Sequence, residues 1–398
     1  MDARDDALTS IEICAGAGGQ AIGLHQAGFK HLALVEIDQH AAATLRRNVT
    51  HREGWKFERK FCDIIEGDVK DFNPMVQLKK AIAFLGGPLE MGKLDLLAGG
   101  VPCPPFSHAG KQLGKDDERD LFPEMLQLVD GLRPKAVMIE NVRGIKDDKF
   151  DEYREWVQAR LQGGMATDPQ SGVRQMYEGA GYKVCGWNVL EASDFGVPQL
   201  RPRAILVAIR TDVLGDQEFQ WPVPNKKLTT VGEALDATMA ERYQPFIDAG
   251  GELGHDAQIA LKEWRNAAVG IAPTLVGGSK KHGGADLGPS RAKAAWAKLG
   301  VNALGVANSP KDVEKKDSAE RDLFRAGPML TVTQAAIIQG FPREWDFEGD
   351  GSEGKLPGKT AQYRQVGNAF PPPVARVVGK AIATVLRGAG AQAAPVQD

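Results

Sequence analysis

Four times along this chain a short apolar run ends abruptly in a residue able to do chemistry. The runs are "SIEIC", "HLALVEID", "KLDLLAGG" and "KAVMIENV", several of them rich in β-branched residues. Stretches with helical spacing, Ala21 to Ala27 and Phe122 to Leu132 among them, lie between. Strands alternating with helices predict an α/β fold with a doubly wound, mostly parallel sheet. Such sheets bind ligands outside the carboxyl ends of their strands. There the runs present the glycine turn after Cys14, Glu36, Cys103 and the pair Glu140–Asn141, all directed at one crevice.

The turn "ICAGAGGQA" satisfies G-x-G-x-x-A through Gly16, Gly18 and Ala21, with the acidic Glu36 following. Glycines let the backbone approach a ligand closely, and the acid can accept from ribose hydroxyls. A nucleotide-like cofactor is expected; nicotinamide, flavin and adenosylmethionine sites all share this pattern. Asp68, in "EGDVKDF", follows a further candidate strand and can accept from an adenine amine, with Val69 packing on the ring.

In "GGVPCPPFS", Pro102, Pro104 and Pro105 fix Cys103 on a stiff loop that neither helix nor central strand can continue through. The strand "AVMI" delivers Glu140 beside an amide, where burial would favour its protonated form and suit it to act as an acid. In "PQLRPR", Arg201 and Arg203 lie two apart on an extended segment, so both guanidiniums are expected on one side, suited to a phosphate or a base oxygen.

The 398 residues, 42% apolar and 25% charged, suit a globular protein of two domains. The opening "MDARDDALTS" lacks the basic start and apolar core of a targeting segment, and no run approaches the ~20 apolar residues of a membrane span. A cytoplasmic protein is expected. Cysteines at 14, 62, 103 and 185 form no CxxC pair and the seven histidines have no ligand spacing near them, so neither zinc nor disulfides are expected. A formal charge of −3 argues against a generally basic nucleic-acid binder. The stretch 276–300 is the local exception, with Lys280, Lys281, Arg291, Lys293 and Lys298 against Asp286 alone.

Tyr153, Trp156, Val157 and Leu161 mark a helix that precedes the loop-like "GGMATDPQSG", expected to be mobile. "GYKVCGWNVL" and "PRAILVAIR" read as two strands joined through "EASDFGVPQLR". The alternation then stops. The expected organisation is a catalytic and cofactor-binding domain over 1–222, a smaller, irregular second domain over 223–355, and a return segment with a closing helix over 356–398 completing the first.

Thiol, carboxylic acid, paired arginines and a glycine-loop cofactor site, taken together, resemble the cytosine-carbon-5 DNA methyltransferase family. The motifs run in the family's order: "AGAGG", "VEID", "GDV", "PCPPFS", "RDLF", "ENV", "GVPQLRPR", "TVTQAAIIQGFP" and "QVGNAFPPPVA". A nicotinamide oxidoreductase would leave the proline-bound cysteine and "ENV" without a task, and a hydrolase using Cys103 with His108 would leave the glycine loop unexplained. Cys14 and Ile37 stand where many members of the family carry aromatic rings, and Glu12 replaces the commoner aspartate.

The resemblance implies S-adenosyl-L-methionine as cofactor, held by Cys14, Ala15, Gly16, Gly18, Gly19, Glu36 and Ile37, by Asp68 and Val69, and by Gly100, Pro102 and Asn368. It implies a Cys103 thiolate adding to carbon 6 of a flipped-out cytosine, Glu140 at ring nitrogen 3, Arg203 at the base oxygen and Arg201 steadying the pocket. The loop after Phe106 would close behind the flipped base, bringing Ser107, Lys111 and Gln112 to double-stranded DNA. The second domain, as target-recognition domain, would read a specific site through Pro273 to Lys293, with Gly278, Lys280, Lys281, His282 and Arg291 as contacts. A monomeric, nucleoid-associated protein is implied, paired in function with a restriction endonuclease it need not touch. The same chemistry on RNA is the alternative, disfavoured by the long second domain.

Overall fold

A computed structural model describes residues 7–102, 120–225, 227–277, 286–307, 324, 327–351 and 356–392, with the backbone alone for 389–392. The sheet has seven strands in the order β3-β2-β1-β4-β5-β9-β8. These are β1 (Leu8–Ile13), β2 (Phe29–Glu36), β3 (Asp63–Glu66), β4 (Leu96–Gly100), β5 (Ala136–Val142), β8 (Tyr182–Glu191) and β9 (Pro202–Arg210). Pairings from β3 through β5 are parallel, and β9 runs antiparallel to β5. All six residues of β1 are buried, as expected of a strand covered on both faces. The chain winds outward from β1 through β2 to β3, then restarts at β4 on the other side of β1. The switch point, where open α/β sheets form their crevice, therefore lies between β1 and β4.

Local chemistry sets the helices on either side of β2. Helix α1 (Gly19–Gln26) starts after Gly18, whose φ of 94° is open to glycine at little cost. Helix α2 (Gln39–His51) is capped by Asp38, which accepts from the amides of His40 and Ala41 at 3.0 and 3.1 Å. Below α1, His31 bridges Ser10 Oγ at 3.0 Å and the Ala21 carbonyl at 2.9 Å.

The segment expected to be a mobile loop is instead a hairpin. Gly164–Thr167 (β6) pairs antiparallel with Arg174–Tyr177 (β7), and Asp168 closes the turn by accepting from the amides of Gln170 and Ser171. Two four-residue strands, the first opening on Gly164, carry too little alternation to be read from sequence.

The chain packs as two compact units, one of residues 1–190, 202–223 and 374–398, the other of 191–201 and 224–373. Two stretches read from sequence as catalytic-domain segments, 191–201 and 356–373, thus pack with the second unit. Hydrogen bonds join the first of these stretches to the unit: Gln199 Oε1 accepts from the Leu275 amide at 2.7 Å, and Arg201 donates to the Leu275 carbonyl at 2.6 Å. The described part of this unit is largely helical. Val231–Ala249 begins with a Thr230/Glu233 capping box, Gly251–Ala267 packs against it, and Ser290–Lys298, Val332–Ile338 and Lys359–Asn368 follow.

Candidate active site

The glycine loop is built around one carboxylate. Glu36, at the end of β2, accepts from the Gly16 amide at 2.6 Å and the Asp38 amide at 2.8 Å, while the Ala15 amide reaches Val35 O at 3.0 Å. Burial pushes the Glu36 carboxyl up, and its two backbone donors oppose that rise. Cys14 holds a φ of 52°, uncommon for a residue with a side chain, and turns the chain out of β1 into the loop. Ile37 follows Glu36 and is 67% exposed, an apolar side chain left open beside the loop. Asp68, after β3, accepts from the Lys70 amide at 3.0 Å, and Val69 beside it is buried.

Across the switch point, Arg203 Nε meets Glu140 Oε1 at 2.9 Å, with both side chains 12% exposed. The other carboxylate oxygen lies over Gly100, where a Cβ would come within 3.2 Å of it. A side chain at Gly100 would therefore press on the Glu140 carboxylate and require it to give by a few tenths of an ångström. Next to Glu140, Asn141 donates to the Val101 carbonyl at 2.6 Å, while its own carbonyl takes the Val142 amide at 2.8 Å. The last residues before Cys103 are thereby tied to β5. Pro102 O accepts from the Leu121 amide at 3.3 Å, and Asp120 is held by the Tyr153 hydroxyl. The described residues on either side, Val101–Pro102 and Asp120–Leu121, are thereby anchored. Cys103, Ser107, Lys111 and Gln112 lie outside the described residues, as do Gly278, Lys280, Lys281 and His282.

The two arginines part company. Arg203 engages Glu140 in the first unit, whereas Arg201, 1% exposed, belongs to the second. There it donates to the carbonyls of Leu275, Gly367 and Ala369 at 2.6, 2.7 and 3.0 Å. The expectation of two guanidiniums sharing one target does not describe these contacts: β9 begins at Pro202, so Arg201 lies outside the strand and strand alternation does not govern it. Asn368, in the same unit, crowds Gly277 so closely that any Cβ there would collide with its amide oxygen. Arg291 lies exposed in the first turn of its helix, and neighbouring Lys293 is paired with Asp286 at 2.7 Å.

Sequence reasoning missed three groups. Gln199 joins Arg201 in holding segments of the second unit together, and Asn141 acts as a tether rather than a bystander. Glu12 and Gln20 flank the glycine loop, 1% and 3% exposed, and all four of their side-chain polar atoms are buried without a hydrogen-bond partner. Such atoms are costly unless a ligand completes them. Among the described cysteines, burial raises the thiols of Cys14, Cys62 and Cys185, so none of the three is an activated thiolate.

Residues 8–384 match the C-5 cytosine-specific DNA methylase family. The chain belongs to that family and is a DNA (cytosine-5-)-methyltransferase. It is 46% identical over 384 residues to the Type II methyltransferase M.NaeI of Lentzea aerocolonigenes, covering 96% of this chain and 76% of that protein. Its identity to the Type II methyltransferase M.NgoMIV of Neisseria gonorrhoeae is 41%, covering 96% and 98%. Among solved structures, the S. pombe Dnmt2 methyltransferase superposes with a TM-score of 0.51 at 16% identity, covering 96% of this chain and 99% of that one, a likeness of fold.

Proposed function

We propose that the enzyme transfers a methyl group from S-adenosyl-L-methionine to carbon 5 of a cytosine flipped out of a specific double-stranded DNA site, through a covalent Cys103 adduct. The observation that carries this reading is the Glu140–Arg203 ion pair at the end of β5, with Asn141 beside it fixing the approach to Cys103.

The residues of the first unit fit the cofactor. Glu36 and the glycine loop suit the ribose, Ile37 and Val69 the adenine faces, Asp68 its amine, and Gly100 with Pro102 the floor; Cys14 and Ala15 shape the entry beside Gly19. The unmet polar atoms of Glu12 and Gln20 suit a polar, cationic ligand. When bound, the cofactor supplies an electrophilic methyl group.

Carbon 5 of cytosine is a weak nucleophile. Addition of the Cys103 thiolate at carbon 6 makes carbon 5 an enamine carbon able to take the methyl, and later loss of the carbon 5 proton allows the thiol to leave. With the other described thiols raised by burial, Cys103 is the cysteine left for this step. Glu140 holds ring nitrogen 3 and the exocyclic amine as charge develops on the ring, and Arg203 holds Glu140 in place while reaching the base oxygen. Arg201 positions the backbone of the second unit, which we assign to target recognition through residues 273–293, with Gly278, Lys280, Lys281, His282 and Arg291 toward DNA. Ser107, Lys111 and Gln112 would close the loop behind the flipped base.

Among the described residues no helix is long and apolar enough to cross a membrane. We assign the protein, as a monomer, to the cytoplasm and nucleoid, where a restriction endonuclease of the same specificity would share its site without touching it. Sequencing of 5-methylcytosine in DNA and RNA from cells expressing the protein tests the reading. The expected result is methylation at one DNA motif; methylation confined to RNA would transfer the same chemistry to the other substrate.

A further inference from the structure

Glu12 is buried beneath the cofactor loop, and no step of the methyl transfer described above uses it. Glu12 on β1 stands opposite Leu34 on β2 and Ala98 on β4. Leu34 is two residues before Glu36, and Ala98 is two before Gly100, which stands opposite Glu140. Side chains two apart share a face, so Glu12, Glu36 and Glu140 project from one face of the sheet, with Glu12 one pleat below the crevice and between the other two.

The three carboxylates differ in their partners. Glu36 has the Gly16 and Asp38 amides, and Glu140 has Arg203. Both oxygens of Glu12 are buried with no partner. An ionised carboxylate in that position is expensive unless a cation joins it. The titratable groups acting on it are also acids, Glu36 from β2 and Glu140 from β5, and burial together with these two pushes its carboxyl well above the usual range. One end of the row is the ribose end, at Glu36; the other is the base end, at Glu140. The centre that changes charge in the reaction, the sulfonium, has to lie between ribose and base, which is where the sheet register puts Glu12.

We propose that Glu12 is a specificity residue of the cofactor site: its carboxylate is the counter-charge to the sulfonium, and through it the pocket favours the charged methyl donor over the neutral thioether left after transfer. The proposal rests on the adenosylmethionine reading above. In the free pocket Glu12 is a neutral acid. On binding of the donor its proton passes to solvent and the carboxylate faces the positive charge; once transfer has removed that charge, the proton returns and the product is held less tightly. The residue thus acts on binding and release and makes no bond to the reacting carbon.

Calorimetric titration of the full chain at neutral pH with S-adenosylmethionine, its neutral product S-adenosylhomocysteine and the amine analogue sinefungin tests this, run in two buffers of different ionisation enthalpy. The wild type should release a proton on binding the two cationic ligands and none on binding the thioether. Glu12→Gln should weaken the two cationic ligands about tenfold or more and the thioether less than about threefold, since only the former lose a charge partner. Glu12→Asp should keep the preference. Equal weakening of all three, or equal proton release with all three, would overturn the proposal and assign Glu12 to the shared amino-acid portion or to the frame of the loop. The proton count needs no variant, so a Glu12→Gln protein that fails to fold leaves the test standing. A wild type that binds none of the three would instead refute the cofactor reading on which the proposal rests.

Discussion

Asn141 Nδ2 lies 2.6 Å from the carbonyl oxygen of Val101, which ties the end of β5 to the chain two residues before Cys103. The side chain that follows the acid of "ENV" therefore holds the backbone just before Cys103. Asn141→Ala should lower single-turnover methylation about ten- to a hundredfold, because a displaced nucleophile loses alignment and Val101 O is left without its donor. Cofactor and DNA affinity should stay within about a few fold. Equal losses in rate and cofactor affinity would make Asn141 a support of the whole site.

Glu140 and Arg203 form an ion pair at 2.9 Å, and in the proposed mechanism they act together. Glu140→Gln and Arg203→Ala should each reduce the rate about a hundredfold or more, and the double variant should be little worse than either single one, since residues acting together are strongly non-additive. Rate losses that multiply would mean that the two act independently, and a uniform fall in DNA affinity with a smaller salt slope would make Arg203 a phosphate contact.

Arg201 is a different kind of residue. Its three carbonyl acceptors belong to "TLV" and "QVGNA", two segments far apart in sequence. Arg201→Ala should destabilise the second unit by about 2–4 kcal/mol, the size expected for losing charged hydrogen bonds in a buried position. Lysine should not rescue it, because a single ammonium cannot reproduce the fork. Urea unfolding measured beside cofactor binding checks this: lower stability with retained cofactor affinity is expected, and unchanged stability would contradict the clamp.

These arginines also mark the limit of what the sequence reveals. The parallel sheet, the glycine turn, Glu36 and Glu140 are legible because strand periodicity and the switch-point rule place strand-end residues without any knowledge of partners. Arg201 and Arg203 look equivalent by spacing, yet strand β9 starts between them and sends them to different acceptors. Glu12 stands out in the sequence as a replacement for the commoner aspartate, but its burial without a partner shows only in the structure. The β6–β7 hairpin and the packing of 191–201 with the second unit depend on short strands and long-range hydrogen bonds, which leave no local pattern.

His31 gives the first unit a pH dependence. Burial pushes its imidazole down to about 4, while Ser10 and Ala21 hold the ring beneath α1. The unfolded chain protonates it near ~6.5, so from there down to about 4 the unfolded state binds the extra proton and stability falls as pH falls. The full contribution is present above pH ~6.5 and the loss on acidification is about 3 kcal/mol. Urea midpoints measured between pH 4 and 8 should decline on the acid side, and His31→Gln should flatten the decline over that window. An unaltered profile in the variant would assign the dependence to other groups.

The central claim is that Cys103 attacks carbon 6 of a cytosine in DNA. A duplex carrying 5-fluorocytosine at the methylated position tests it most directly, since fluorine cannot leave carbon 5 as a proton does and the intermediate is held. With S-adenosylmethionine present, the account predicts a denaturation-resistant protein–DNA adduct whose mass-spectrometric site is Cys103, absent from Cys103→Ala and from reactions without the methyl donor. An adduct mapped to Cys14, Cys62 or Cys185, or methylation by Cys103→Ala at the wild-type rate, would contradict it.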